Sequence, residues 1–283
     1  MRKDRPSLTA LRVAMSRAAH QLFDQPRVLE DPIALRILGT KTSLDLRADR
    51  KRYEGMLARH LRAFVVARSQ LAEDALAEAV GRGVRQYVIL GAGLDTFAYR
   101  SPYPASLLRV FEVDHPATQT WKRRQLAACD TVVPESLTFV PVDFEKQILA
   151  ERLREAGFRS DVPSFFSGLG VTMYLTHDAV LGTLRYVATL PRGSGIVFDY
   201  AVSPQSVSFL RRLVVRTVMR RVAAIGEPWK TLFDPRSLAD ELRALGFGHT
   251  DDSGPAELNA RYFSGRTDEL RVAGPGRVMS ARL

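Results

Sequence analysis

A short apolar run, Tyr87-Val-Ile-Leu90, passes directly into Gly91-Ala92-Gly93. A buried strand that ends on two closely spaced glycines restricts the fold severely. Glycine takes up tight positive-φ turns without side-chain strain and lets other groups approach the backbone closely. The chain from residue 84 onward is consistent with that beginning. Strand candidates lie at Gln86–Leu90, Leu108–Val113, Leu137–Val142, Ser164–Leu169 and Gly195–Asp199, with helical stretches at Pro116–Ala128, Lys146–Gly157 and Asp178–Leu190 between them. Short apolar strands alternating with helices predict a parallel sheet covered on both faces. A helical insertion is expected at about 204–224, then a helix over Asp234–Leu245 and two weak strands.

The first eighty or so residues read differently. Leu8, Leu11, Met15, Ala18 and Leu22 recur at helical spacing, as do Leu57, Leu61, Phe64, Leu71 and Val80. Asp31-Pro32 is a helix start by type, with Gly39 as its stop. The chain is therefore read as one domain over 1–283. A helical N-terminal cap (1–83) precedes a doubly wound α/β core (84–283).

Composition removes several alternatives. The single cysteine, Cys129, cannot form an internal disulfide, so no disulfide scaffold is possible within the chain. The formal charge of +10 comes mostly from scattered arginine, with lysine only at 3, 41, 51, 122, 146 and 230. Scattered charge is a poor nucleic-acid footprint, and no such partner is expected. Met1 to Arg17 lacks an apolar signal core, and no long apolar run is available for membrane insertion, so a cytoplasmic protein is expected. The five histidines show no i, i+4 pair, and no metal is expected.

The glycine turn and the second strand together suggest a ligand. About twenty residues after the turn, the second strand closes on acidic residues, Glu112 and Asp114. In such a sheet an acid at this place accepts hydrogen bonds from the ribose hydroxyls of an adenosine ligand. A dinucleotide needs a further glycine at the helix start, where this chain has Thr96, and Asp95 would repel a pyrophosphate. The acidic loop suits an adenosine carrying a positive sulfonium and amine, such as S-adenosylmethionine, with nicotinamide dinucleotides as the alternative. At the end of the third strand, Asp143 suits the adenine amine and Phe144 the ring. A strand-end aspartate capping a helix near Glu145 is the competing account.

Segments "ILGAGLDTFAYR", "FEVDHPATQTWKRRQL", "VPVDFEKQ" and "GVTMYLT" resemble the leucine carboxyl methyltransferase family, and its bacterial S-adenosylmethionine-dependent branch most closely. "TALRVAMSRAAHQLFDQPRVLEDPIA" and "GEPWKTLFDPRSLADELRALGF" are similar too, so the likeness runs from about residue 8 to 248. The resemblance implies a class I methyltransferase (Rossmann-like) fold, with a mainly parallel seven-stranded sheet whose last strand is antiparallel. It implies Arg68 at the methionine carboxylate, Gly91 and Gly93 at the turn, Asp114 at the ribose (Glu112 as alternative), and Asp143 and Phe144 at the adenine. One departure is apparent. Where the family commonly carries a glutamate facing the methionine amine, this chain has Leu169; another acid such as Asp95 is then needed, or a non-catalytic binder results.

The resemblance implies methyl transfer to a carboxyl or hydroxyl oxygen, with a small-molecule acceptor expected. An ionised carboxylate needs no general base. A hydroxyl would, and His115, His177 and Tyr174 are the nearest candidates by motif position. Phe209, Leu213, Val214 and Met219 in the insertion would cover an acceptor, with arginines on the other face.

Overall fold

In a computed structural model of the chain, residues 8–144, 146–206 and 229–283 are described. The apolar runs of the core form strands because they are buried on both faces, which favours β-branched and aromatic side chains. They are β1 (Gln86–Leu90), β2 (Arg109–Asp114), β3 (Leu137–Pro141), β4 (Phe165–Gly168) and β5 (Gly195–Ala201). These five run parallel, with β1 between β2 and β4. Two later strands, β6 (His249–Ser253) and β7 (Gly276–Arg282), complete a seven-stranded sheet among the described residues, in the order β3-β2-β1-β4-β5-β7-β6. Strand β7 is antiparallel to both its neighbours.

Helices cover both faces. The elements are α1 (Leu8–Phe23), α2 (Thr40–Ala48), α3 (Arg50–Glu54), α4 (Met56–Gly81), α5 (Phe97–Arg100), α6 (Pro116–Ala128), α7 (Leu149–Glu155), α8 (His177–Ala188), α9 (Pro235–Ala244) and α10 (Pro255–Tyr262). One face of the sheet packs on Ala63, Val66, Ala67 and Leu71 of α4 and on Leu258 of α10. Small residues on α4 allow its backbone to lie close to the strands. The opposite face packs on Leu153 of α7, Val180 and Leu184 of α8, and Leu238 and Leu242 of α9. Helix α4 ends where Gly83 turns to φ +104°; Gly83 N–H bonds to the Val80 carbonyl and Val84 N–H to that of Ala79. That reciprocal pair is the Schellman stop, which favours glycine at the left-handed position.

Ion pairs inside the N-terminal helices fix them to one another. Arg62 of α4 is 1% exposed and makes a two-pronged pair with Asp24 (2.7 and 2.8 Å), while His20 Nδ1 meets the same carboxylate at 2.7 Å. Burial pushes the Asp24 carboxyl up, but the hydrogen bonds from His20 and Arg62 outweigh it and hold it below the ordinary value.

Three expectations need correction. Residues 32–38 form a succession of turns and not a helix. Hydrogen bonds there mix the two spacings, Ala34 to Asp31 and Ile37 to Ile33, so no regular ladder develops. The Asp31 carboxylate, expected as a start signal, is buried and tied to Arg17 and Thr96 instead. The helix expected from Lys146 begins only at Leu149, so Asp143 does not cap it. Helices α2, α3 and α10 were not anticipated. Most of the basic insertion, including Phe209, Leu213, Val214 and Met219, lies outside the described residues. Among the described residues no helix is long and apolar enough to cross a membrane.

Candidate functional site

The C-terminal edges of β1, β2, β4 and β5 meet in one place, which is where open α/β sheets form crevices. At the end of β1, Gly91 and Gly93 both have positive φ, +60° and +49°. Space as well as conformation requires glycine here. A Cβ on Gly91 would lie 2.5 Å from Val171 Cγ2, and one on Gly93 would lie 3.1 Å from the Cβ of Ala10 on α1. The close approach seen in this structure is thus made by protein side chains.

Asp114, at the end of β2, faces the turn. Gly93 N–H donates to its Oδ2 and His115 N–H to its Oδ1. Burial raises the carboxyl above its ordinary value, opposed by those two hydrogen bonds. Each oxygen retains a further lone pair for a hydroxyl donor. Glu112, the alternative on the same strand, does not reach the turn. It is fully buried and paired with Lys122 of α6 at 2.7 Å. Its own carbonyl accepts from Gln119 Nε2. Of the two acids, Asp114 and not its alternative Glu112 faces the glycine turn.

Burial outweighs the Lys122 contact and pushes the Glu112 carboxyl up to about 7. The folded state therefore holds a proton that the unfolded chain releases near the ordinary value of ~4.3. Stability from this group is present below that value and is lost as pH rises towards 7. Glu112→Gln is expected to flatten the fall in melting temperature between pH 5 and 8; an unchanged slope assigns it to other groups, such as Asp114 or Glu73.

Arg68 lies on α4, close-packed in the interior and 5% exposed. Its guanidinium sits against Gly170, whose added Cβ would be 3.1 Å from Nη2, and over the Phe64 ring at 5.7 Å. Nη1 pairs with Oδ2 of Asp199. Its buried Nε has no hydrogen-bond partner among the described residues. Glu73, five residues along, pairs with Arg100 instead.

Asp199 was not singled out in the sequence, where it served only to end a strand. It is fully buried in β5, and Gly170 N–H donates to its Oδ1. The signal was present: an aspartate inside Gly195–Ala201, a strand buried along its whole length, demands partners.

Asp143 and Phe144 follow β3. Asp143 pairs with Lys146 at 2.9 Å, and its carbonyl accepts from Lys146 and Gln147. Phe144 lines an apolar cavity of about 30 Å³ with Leu90, Gly168, Val171 and Phe198. Val142 N–H bonds to the Asp114 carbonyl at 2.9 Å. Five of the six predicted residues thus belong to one connected patch: Asp114 to the glycine turn, the turn to Val171, and Val171 to the cavity of Phe144 and to Gly170 beneath Arg68; Asp143 adjoins it along the chain, next to Phe144.

Of the other candidates, Tyr174 lies in the single turn Thr172–Tyr174, its N–H bonded to the Val171 carbonyl, and the rest have structural positions. His115 is the N-cap of α6, its Nδ1 accepting from Ala117 N–H at 3.3 Å. His177 begins α8, 3.5 Å from Glu241 and stacked near Phe233, behind the N-cap Thr176. Asp95 accepts from Phe97 N–H at the start of α5. Leu169 packs into the core face under α4 and brings no charge to the patch.

Strand order, the antiparallel β7 and a crevice at the β1 edge together define the class I methyltransferase fold. The leucine carboxyl methyltransferase family model matches residues 10–188, and the chain belongs to that family. YktD of Bacillus subtilis (strain 168), whose name gives S-adenosyl-L-methionine-dependent methyl transfer as an inferred activity, is 34% identical over 95% of each chain. A relative from Mycobacterium avium (strain 104), similarly named, is 33% identical over 77% of this chain and 71% of its own. Two solved structures share the fold. One, from Thermobifida fusca YX and titled an inferred methyltransferase, has a TM-score of 0.56 at 16% identity, covering 98% of this chain and 95% of that one. The other, a DUF574-family protein from Streptomyces avermitilis MA-4680, has a TM-score of 0.54 at 21% identity, covering 94% and 96%.

Proposed function

We propose that this protein transfers a methyl group from S-adenosylmethionine to a carboxyl or hydroxyl oxygen of a small molecule. The cofactor-dependent methyltransferase activity follows from the family; oxygen as target and a small acceptor are the proposed part. The residues present suit the cofactor. A turn of two positive-φ glycines faces an aspartate with spare lone pairs, and a buried guanidinium keeps an Nε–H unpartnered among the described residues. We assign Gly91 and Gly93 to the approach of the cofactor, Asp114 to the ribose, Asp143 and Phe144 to the adenine and Arg68 to the methionine carboxylate.

Bound S-adenosylmethionine supplies a methyl group already activated by its sulfonium. The protein then has to bind, align the acceptor and exclude water. The observation that favours a carboxyl acceptor is the engagement of both motif histidines at helix starts. An acceptor ionised at neutral pH requires neither of them.

Calorimetry with S-adenosylhomocysteine tests the cofactor assignment. Asp114→Ala and Asp143→Ala are each expected to weaken binding at least about tenfold, the value of a lost hydrogen bond to a charged group. Wild-type affinity in both variants would remove them from the site. Incubation of a cell extract with methyl-labelled cofactor tests the acceptor: label in the small-molecule fraction supports the proposal, base-labile for a carboxyl acceptor and base-stable for a hydroxyl. Label confined to protein carboxyl groups replaces the small molecule with a polypeptide.

A further inference from the structure

Arg68 and Asp199 form a buried pair of opposite charges between α4 and the inner strand β5. Its two members come from different elements, α4 and β5, and both are at least nine-tenths buried. A buried ion pair is weakly stabilising at best, because desolvation offsets most of its attraction. This one is also incompletely bonded, since Arg68 Nε has no partner among the described residues. On Asp199, one oxygen takes Arg68 and the other takes Gly170 N–H, leaving lone pairs on both. An α-amino acid end, with its carboxylate and ammonium on one carbon, presents the complementary charges side by side.

Its place in the sheet supports that use. Strands β4 and β5 are in register at Gly168 and Phe198, so the next residues, Leu169 and Asp199, run alongside each other. Leu169 turns into the apolar core, and the carboxylate at this level comes from β5 instead. Thr172 Oγ1 donates to the Asp199 carbonyl at 2.6 Å, which ties the 170–174 turn to the same residue. Val171 of that turn covers Gly91. The acid therefore holds the guanidinium and the segment lying over the glycine turn together.

Resting on the methyltransferase reading, we propose that Asp199 receives the ammonium of the cofactor's methionine end while Arg68 takes its carboxylate. Asp199 is then a specificity-determining residue for an α-amino acid terminus, and Leu169 leaves no charge for that task.

The test compares three ligands by calorimetry: S-adenosylhomocysteine, its analogue lacking the α-amino group, and 5′-methylthioadenosine, which lacks the whole amino acid end. Wild-type protein is expected to prefer S-adenosylhomocysteine over the deaminated analogue by about tenfold or more, as a charge-assisted hydrogen bond requires. Asp199→Asn keeps an oxygen for Gly170 N–H. It is expected to lose about tenfold or more for S-adenosylhomocysteine while binding 5′-methylthioadenosine within about threefold of wild type. Adding Leu169→Glu to that variant is expected to recover part of the loss. Equal wild-type affinity for the first two ligands overturns the inference, and needs no variant that folds. An equal loss for all three ligands in Asp199→Asn overturns it too, by showing a structural role. Absence of binding by any of the three overturns the methyltransferase reading, and the inference with it.

Discussion

Arg68→Ala is expected to weaken S-adenosylhomocysteine binding about 100-fold or more and to lower the melting temperature of the free protein. Two effects coincide. The fork that takes a carboxylate is lost, and Asp199, fully buried, is left without its counter-charge. Removing one member of a buried pair costs about 3–5 kcal/mol, most of it from the stranded charge. Arg68→Lys separates the contributions. It restores a positive charge but not the planar fork, and the unpartnered Nε–H is gone. Stability should recover more than affinity. Calorimetry and thermal melting on both variants check this, and wild-type affinity in Arg68→Ala would remove the residue from the site.

The largest effect on stability away from the crevice is expected from Arg62→Ala, about 3–5 kcal/mol. This arginine carries three hydrogen bonds, two to the Asp24 carboxylate and one to the Tyr53 carbonyl, and its side chain is almost wholly enclosed. Without it, Asp24 retains only His20 as a side-chain partner among the contacts described for it. Denaturant unfolding gives the measurement. A loss below about 1 kcal/mol would mean that water replaces the guanidinium. If the chain is one domain, as we propose, the loss should appear in a single transition shared by the cap and the core.

Much of this arrangement could be read from the residues, and the failures have physical causes. The five parallel strands were legible because each is an apolar run, buried along its whole length in β1, β4 and β5 and in part in β2 and β3. Helix Pro116–Ala128 matched at both ends because Pro and the preceding cap fix its start. Residues 32–38 misled because Asp31, a helix-start residue by type, is committed to Arg17 and Thr96 across the fold. Sequence spacing cannot reveal such long-range bonds. Glu112 and Asp114 looked equivalent because both are acids at one strand end. They share one face of the strand, as i and i+2 residues do, but Glu112 lies within β2 against Lys122 whereas Asp114 stands at its end against the glycine turn. Asp199 was passed over for a related reason. A single aspartate in an apolar run reads as the strand's end, whereas Asp199 is buried inside β5.

The sheet order carries a consequence for synthesis. Strand β5 has its second neighbour in β7, so its edge has no partner until the chain from Ala201 to Gly276 has been made. At ordinary translation rates of about 5–20 residues per second, that interval is roughly 4–15 s. Throughout it, the nascent polypeptide carries an apolar strand with open hydrogen-bonding groups, a template for pairing with other chains. Ribosome-associated chaperones would have their greatest effect on yield during that window.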